Sequence, residues 1–169
     1  MKTKLLIIAL MLFGITQAQE VLSIGIYQDL RLAVSDDNHG NDSFTTDVLI
    51  RLKMQGNQEK YGYMIVYPEF ELANLSGGKY KRYSANVGYV FNKWFKNFEY
   101  SGSLGFGMLQ RWNASYLTWG LSGDIAYMLN KNVKLAVVGQ VIKRSDLEHR
   151  YGGEHLKFSG FVGIEINLL

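Results

Sequence analysis

The residues best suited to chemistry lie near the end of the chain, in a polar stretch at 145–155. Two acid–imidazole pairs, Glu148-His149 and Glu154-His155, stand on either side of a Gly-Gly turn. Carboxylate and imidazole groups brought together in this way are ligands for divalent transition metals. A solvated polar loop explains the same residues without a metal, and we expect the solvated loop.

A second polar stretch, at 35–43, carries Asp36, Asp37 and Asp42. Their carboxylates are oxygen ligands of the kind that calcium prefers, but their spacing differs from that of a calcium-binding loop. No other cluster of ligating side chains stands out in the sequence. We therefore predict no metal site and no cofactor.

Nucleophilic catalysis needs a base within hydrogen-bond reach of a hydroxyl group. His155 and Ser159 are separated by four positions, which corresponds to about 13 Å along an extended strand. No histidine has a serine two positions away on the same face of a strand. We predict that the protein is not an enzyme.

The first 18 residues have the pattern of a cleaved signal peptide. Lys2 and Lys4 precede an apolar run at 5–15, and Thr16-Gln17-Ala18 supplies small residues before a cleavage site. We therefore expect residues 19–169 to form a single exported domain. The chain has no cysteine, so disulfide bonds and a lipid anchor on cysteine are excluded.

The charge balance argues against a nucleic-acid partner. The formal net charge is +3, and two of the lysines belong to the predicted signal peptide. The mature chain is therefore almost neutral, without the basic excess that polyanion binding requires.

Apolar and polar residues alternate with a period of two through most of the mature chain, which predicts β-strands. Turn-forming stretches separate eight such segments, at about 21–34, 46–55, 61–74, 80–91, 98–112, 116–129, 133–144 and 156–169. Pro68 lies within the third segment, where it predicts a bulge because proline cannot donate to a strand ladder. We read 35–43 and 145–155 as long loops.

Alternation alone does not decide whether the apolar face lines a core or meets lipid. The polar face combines small residues with charges of both signs, as suits a narrow lumen. The predicted lumen charges are Asp29, Arg31, Arg51, Lys53, Glu69, Glu71, Arg82, Glu99, Arg111, Asp124, Lys134, Arg144, Lys157 and Glu165.

The aromatic residues gather near strand ends, as in the interfacial girdles of membrane barrels. The predicted girdle residues are Trp94, Phe95, Phe98, Trp112, Tyr116 and Trp119.

The signal peptide, the alternation and the final segment FSGFVGIEINLL resemble the small eight-stranded outer-membrane barrels, the OmpA transmembrane domain and OmpX-like group. The resemblance covers the whole mature chain and implies an all-β, antiparallel, up-and-down transmembrane β-barrel. It implies the outer membrane of a Gram-negative bacterium, with membrane lipid, lipopolysaccharide and the barrel-assembly machinery as partners. The chain ends on Leu168-Leu169, whereas such barrels commonly end on an aromatic residue.

We therefore expect a barrel with a packed charged lumen and a structural or surface-interaction role. An extracellular partner would bind loops 35–43 and 145–155. Two alternatives remain open at this point. One is an outer-membrane lipid-modifying enzyme of the lipid A acyl hydrolase or transferase type, and the other is a soluble periplasmic lipocalin-like ligand-binding barrel.

Overall fold

Strands that alternate between an apolar and a polar face cannot stand alone, because each leaves backbone groups unpaired at its edges. In the computed structural model, which describes residues 21–35, 41–153 and 155–168, eight antiparallel strands close into a barrel. Each strand pairs with its neighbour in sequence, and the last pairs with the first. The strands are β1 (Val21–Asp29), β2 (Asp47–Gln55), β3 (Gly62–Leu75), β4 (Gly78–Phe91), β5 (Phe98–Arg111), β6 (Ala114–Met128), β7 (Val133–Lys143) and β8 (Leu156–Asn167).

The two ends of the barrel differ in their connections. Turns 56–61, 92–97 and 129–132 lie at the end where β1 starts and β8 finishes, which we call the terminal end. The opposite end, the loop end, carries the connections 30–46, 76–77, 112–113 and 144–155. Trp112 and Asn113 form a two-residue turn with φ values of 51° and 60°. Positive φ at both positions is the geometry that joins two twisted strands without a longer loop.

Two short helices occur at the loop end within the described residues, where extended strand and loop were predicted. The first segment does not continue to residue 34, since β1 ends at Asp29 and helix α1 (Leu30–Val34) follows. The Asp29 carboxylate accepts a hydrogen bond from the Leu32 amide at 3.0 Å, which caps the helix. Helix α2 (Ser145–Tyr151) forms most of the last predicted loop. No helix in the described part of the chain is long and apolar enough to cross a membrane.

Pro68 does not produce the predicted bulge. The β2–β3 register is the same on both sides of it, with Arg51 opposite Glu69 and Met54 opposite Val66. Pairing with β4 also continues through Pro68, which lies opposite Ala85. Proline therefore removes a donor from the β2 side of the ladder without inserting a residue.

The pleat sends alternate side chains to opposite faces, and here the charged face lies inside. Buried residues on β3 alternate strictly with exposed ones between Ile65 and Leu75, apart from the half-exposed Pro68. Most of the charged strand residues are among the buried ones, whereas most of the large exposed side chains of the strands are apolar. Small apolar clusters, including one around Tyr27 and Phe161, fill the space between the charged groups.

Candidate functional site in the barrel interior

Arg51 lies at the centre of the interior and is completely buried. Its Nε donates to the Glu69 carboxylate at 2.6 Å, and one terminal nitrogen donates to both Asp124 oxygens at 2.8 and 2.9 Å. The guanidinium also lies over the Tyr27 and Tyr67 rings, 5.5 and 5.1 Å from their centroids. Two carboxylates and two aromatic faces thus replace the water that a buried guanidinium loses.

Lys53 extends this network toward the terminal end. Its ammonium bonds to Asp124 at 3.3 Å and forms a close ion pair with Glu165. The Tyr27 hydroxyl donates to the same Glu165 carboxylate. Glu165 on β8 and Lys53 on β2 are thereby joined across β1, which lies between their strands.

Arg82 extends the network toward the loop end. Its guanidinium donates to Glu71 at 2.8 Å, to Glu69 at 2.5 Å and to the Gln140 side-chain oxygen at 2.9 Å. The Gln140 amide donates to Glu71 at 3.0 Å. Glu69 therefore bridges Arg82 and Arg51, and one connected network runs from β8 to β7 through the interior.

Hydroxyl groups satisfy most of the remaining polar atoms. Tyr67, Ser103 and Ser122 are linked by oxygen–oxygen distances of 2.5 and 2.6 Å, and Ser122 also accepts from Arg51 at 3.3 Å. A cavity of about 20 Å³ lies on the terminal side of Lys53, beside the Lys134–Glu99 ion pair at 2.7 Å. That volume suits about one water molecule, so the interior at this level is packed.

A separate cluster closes the interior at the loop end. Arg144 donates to the buried Asp146 carboxylate at 2.6 and 2.8 Å, and Arg111 lies 3.5 Å from it. Burial alone would raise the pKa of Asp146, but the hydrogen bonds and charge of Arg144 hold that pKa below its usual value. The Arg144 guanidinium also lies 4.7 Å from the Tyr80 ring centroid. These contacts fasten α2 over the end of the barrel.

Trp112 ties three loop-end connections together. Its indole nitrogen donates to the Gly77 carbonyl at 2.7 Å, in the turn between β3 and β4. Arg111 and Arg150 lie 4.4 and 4.3 Å from the indole ring, and Arg150 belongs to α2. Beside this cluster is a cleft of about 580 Å³ that includes Arg111, Arg144 and Lys157 in its lining.

The structure brings most of the predicted lumen charges together inside the barrel. Those that are buried are Asp29, Arg51, Lys53, Glu69, Glu71, Arg82, Arg111, Asp124, Lys134, Arg144 and Glu165. Glu99 and Lys157 are partly buried. Arg31 differs from the prediction, because β1 stops two residues earlier and Arg31 lies on α1 with an exposed side chain.

The predicted aromatic girdle divides into three groups. Trp94, Phe95 and Phe98 are exposed at the terminal end. Trp119 is opposite Phe106 on the outward face, and Trp112 lies in the loop-end turn described above. Tyr116 is not a girdle residue, because it points inward and packs against the cluster around Leu109, with its ring 5.6 Å from that of His149.

The four loop residues considered as metal ligands have other partners where they can be described. Glu148 pairs with Lys143 at 3.1 Å, and His155 lies 2.9 Å from the Gly152 carbonyl. The His149 ring contacts that of Tyr116 at a tilt of 48°, and Glu154 lies outside the described residues. Across the described ranges, no group of three or more Asp, Glu or His side chains is placed to hold a metal.

Several interior residues were not singled out from the sequence. Tyr27, Tyr67, Ser122 and Gln140 all belong to the network, and Asp146 anchors α2. Alternation along the strands is enough to predict that the four strand residues face inward, since each shares a face with predicted lumen charges. Asp146 carried no such signal because it lies on a helix that alternation does not predict.

Comparison with solved structures shows what this architecture is. The outer membrane protein Ail of Yersinia pestis, in a phospholipid bilayer nanodisc, is 16% identical over 89% of this chain and 100% of its own, with a TM-score of 0.58. The crystal structure of Ail, the attachment invasion locus protein of Y. pestis, is 13% identical over 88% of this chain and 97% of its own, with a TM-score of 0.49. A designed transmembrane β-barrel is 14% identical over 88% and 93%, with a TM-score of 0.44. No family model and no curated protein matches the chain.

The fold is therefore the eight-stranded antiparallel up-and-down barrel, which confirms the predicted fold class. The likeness to the small outer-membrane barrels is confirmed at the level of architecture.

Proposed function

We propose that this protein is an integral outer-membrane β-barrel that acts as a non-catalytic scaffold and presents its loop end at the cell surface. The observation that carries the proposal is the inversion of its faces, with apolar side chains outside and ion pairs inside. A soluble barrel would expose its charges and bury its apolar face. Lipid reverses that preference and also requires every strand edge to be paired.

The outward face is apolar around the whole barrel. Large exposed apolar side chains occur on seven of the strands and include Leu117 at 80% and Phe158 at 71% exposure. On β2 the outward residues Val48, Ile50, Leu52 and Met54 are partly exposed. A continuous apolar surface of this extent is far larger than the patches of a few hundred Å² that soluble monomers expose.

The loop-end limit of this apolar band is marked by polar side chains. Within the described strands, the charged residues of the outward face are Lys79, Lys81 and Lys143, all near the loop end. Gln110 lies opposite both Lys81 and Ser115, which continues the polar rim across β4, β5 and β6. Charges cost little at the membrane boundary and several kcal/mol at its centre.

The terminal-end limit is aromatic. Phe91 stacks on Trp94 with 5.1 Å between ring centroids, and Phe98 contacts Tyr127 at 5.0 Å. Tyr100 contacts both Phe95 and Phe98, at 6.0 and 6.4 Å. Rings with an apolar body and a polar edge favour the headgroup level of a bilayer, so this belt supports the position of the terminal end at the second interface.

The interior supports a scaffold rather than a wide channel. Its charged network is packed, and the Arg51–Asp124 and Lys53–Glu165 ion pairs join strands that are not neighbours. Such a barrel holds its loops on a rigid frame, and loops on rigid frames are where binding functions usually lie. We propose export through the signal peptide, membrane insertion by the barrel-assembly machinery, and contacts with lipopolysaccharide and an extracellular partner at the loop end.

Membrane fractionation and gel migration test this proposal. After expression in a Gram-negative host, the protein should stay in the outer-membrane fraction through washes with high salt and alkaline carbonate. It should also migrate faster on a gel before heating than after, as a closed barrel does. An epitope placed at 39 should be accessible on intact cells, whereas the same epitope placed at 95 should be detected only after lysis. Release by carbonate would overturn membrane integration, and the reverse accessibility would overturn the orientation.

A further inference from the structure

Strand pairing between β1 and β8 stops before the loop end. The last pair is Asp29 opposite Phe161, because α1 begins at the next residue of the chain. β8 continues to Leu156, which still pairs with Lys143 of β7. In the described part of the chain, residues 156–160 therefore have a strand neighbour on one side only. We call this gap the lateral notch.

The cleft of about 580 Å³ passes through the lateral notch. Leu156 and Phe158 point outward and are exposed, whereas Lys157 between them points inward and is partly buried. All three residues line the same cleft. A cavity that touches both faces of one strand must pass that strand's edge or its end, and Leu156 is the first residue of β8, so the cleft joins the outer apolar surface to the interior of the loop end.

The inner part of the cleft is cationic. Arg111 and Arg144 share a single carboxylate, that of Asp146. Among the described residues the Nε of Arg111 has no hydrogen-bond partner, although the residue is only 8% exposed. Lys157 makes no hydrogen bond or ion pair with any part of the described chain, and no Asp or Glu is among the described residues of the cleft lining. The carboxylates whose charges act on Lys157 are those of Asp47 and Glu71, on β2 and β3 outside the cleft.

We propose that the lateral notch binds the phosphate headgroup of a membrane lipid, with the phosphate between Arg111 and Lys157 and the acyl chain against Leu156 and Phe158. Arginine and lysine are the side chains that bind phosphate most strongly. The sideways opening favours a lipid over free phosphate, because it places apolar surface directly beside the cations. The proposal rests on the proposed function, since it requires the loop-end rim to lie at headgroup level.

Titration of the folded barrel with three soluble probes tests the proposal. The barrel is prepared in a maltoside detergent, which contains no phosphate, and its faster migration before heating confirms that it is folded. The probes are dihexanoyl phosphatidic acid, dihexanoyl glycerol and inorganic phosphate. Calorimetry measures affinity, and the NMR signal of the Arg111 Nε–H group reports on the site. We expect phosphatidic acid to shift that signal, and we expect each of the other two probes to bind at least about tenfold more weakly.

Charge removal identifies the residues that hold the phosphate. Lys157→Gln should weaken phosphatidic acid binding about tenfold, the equivalent of one charge-assisted hydrogen bond of about 1.4 kcal/mol. Lys131→Gln, in a turn at the terminal end, is the matched control and should bind as the wild type does. Arg111→Gln should weaken binding similarly. If that variant does not fold, Lys157→Gln decides, since Lys157 has no hydrogen bond to any described residue that the substitution could break.

Three results would overturn the inference. If dihexanoyl glycerol bound as tightly as phosphatidic acid, the site would not recognise the phosphate charge. If inorganic phosphate bound as tightly, the site would not recognise the lipid part of the molecule. Wild-type affinity in Lys157→Gln would remove the proposed site. Each of these results leaves membrane integration untouched, because carbonate washing and gel migration test that separately.

Discussion

At the scale of single residues, the interior is organised by charges that no water can solvate. Arg51 is completely buried and depends on Glu69 and Asp124 for its neutralisation. Burying an ion costs several kcal/mol, and only close partners of opposite charge offset that cost. Removal of one partner should therefore lower the free energy of unfolding more than removal of both members of an ion pair.

Glu165→Ala should lower the free energy of unfolding by about 3 kcal/mol, the effect typical of breaking a buried ion pair. The substitution removes an acceptor from both Lys53 and Tyr27, and leaves Lys53 with Asp124 alone. Urea unfolding in lipid vesicles, followed by tryptophan fluorescence, measures the change. Glu59→Ala is the control, because the hydrogen bond that the Glu59 carboxylate accepts from Tyr89 is exposed. Equal stability of the two variants would contradict the structural role of Glu165.

Asp146 should hold α2 in place down to unusually low pH. Its folded-state pKa lies below the ordinary value because of Arg144, so the carboxylate stabilises the docked helix at every pH above the ordinary Asp pKa of about 3.9. That stabilisation is lost only as the pH falls through the lower, folded-state pKa. The NMR amide signal of Leu147 should therefore keep its position from neutral pH to about pH 4. Its movement near pH 5 would contradict the ion pair, and Asp146→Asn should release α2 at neutral pH.

The sequence predicts which residues face inward but not which of them meet. The alternation of apolar and polar residues along β2 and β6 is enough to place Arg51 and Asp124 on the inner face. Their contact spans 73 positions in sequence, and it depends on how far each strand slides past the next around the barrel. That stagger is set by all the registers together, so no local pattern reveals the pair. The prediction that Arg31 faces the lumen was wrong for a local reason. The alternating pattern continues past Asp29, but Asp29 caps a helix there and the strand ends.

At the scale of elements, each strand is a two-faced ribbon, and the proposed membrane position requires its outward side to suit its depth in the bilayer. β6 shows this in one strand: Ser115 lies at the polar rim opposite Gln110, and Leu121 lies midway along the strand opposite Leu104 and Val141. Both side chains are exposed on the same face. The two positions differ in their depth along the barrel axis.

Leu121→Arg should destabilise the inserted barrel by about 2–4 kcal/mol, whereas Ser115→Arg should cost about 0–1 kcal/mol. The same side chain is added to the same face of the same strand, so the comparison tests depth in the membrane together with the loss of the Leu121 side chain. Urea unfolding in vesicles of one lipid composition gives both values. Similar costs at the two positions would mean that β6 does not cross the bilayer as proposed.

Elements that depend on tertiary contacts were the ones that alternation missed. α2 is too short to be stable alone, and its first turn is held to the barrel where Arg144 lies over Tyr80 and Asp146 pairs with Arg111. α1 has one capping bond from Asp29 and one buried residue, Leu32. Pro68 was expected to disturb its strand, but the pairing around it keeps the register. Strands 9 to 15 residues long carry a periodic signal, and helices of 5 and 7 residues do not.

At the scale of the whole molecule, two independent sets of contacts close the barrel. The β1–β8 ladder joins the first and last strands over pairs from Ser23–Asn167 to Asp29–Phe161. The ion pairs then cross the interior, as Arg51 of β2 does with Asp124 of β6. Glu165 belongs to both sets, since it lies opposite Gly25 in the ladder and bonds to Lys53 inside. Closure and packing of the interior should therefore be lost together on unfolding.

A cysteine pair provides a direct test of closure, because the natural chain contains no cysteine. Ile26 and Ile164 are directly opposite each other on β1 and β8, with both side chains on the outward face. Opposed residues of antiparallel strands have Cα atoms about 4.5–5.5 Å apart, which matches the Cα separation of disulfides. Oxidation of the folded Ile26→Cys/Ile164→Cys variant should therefore link the two ends of the chain and change its migration when heated without reductant.

In the control Ile26→Cys/Val137→Cys, the second cysteine would replace Val137 on β7, opposite Val162. β8 separates that position from β1, so no intramolecular link should form. Equal cross-linking of both variants would show that β1 does not pair with β8 in the stated register, and the barrel would then not be closed as described.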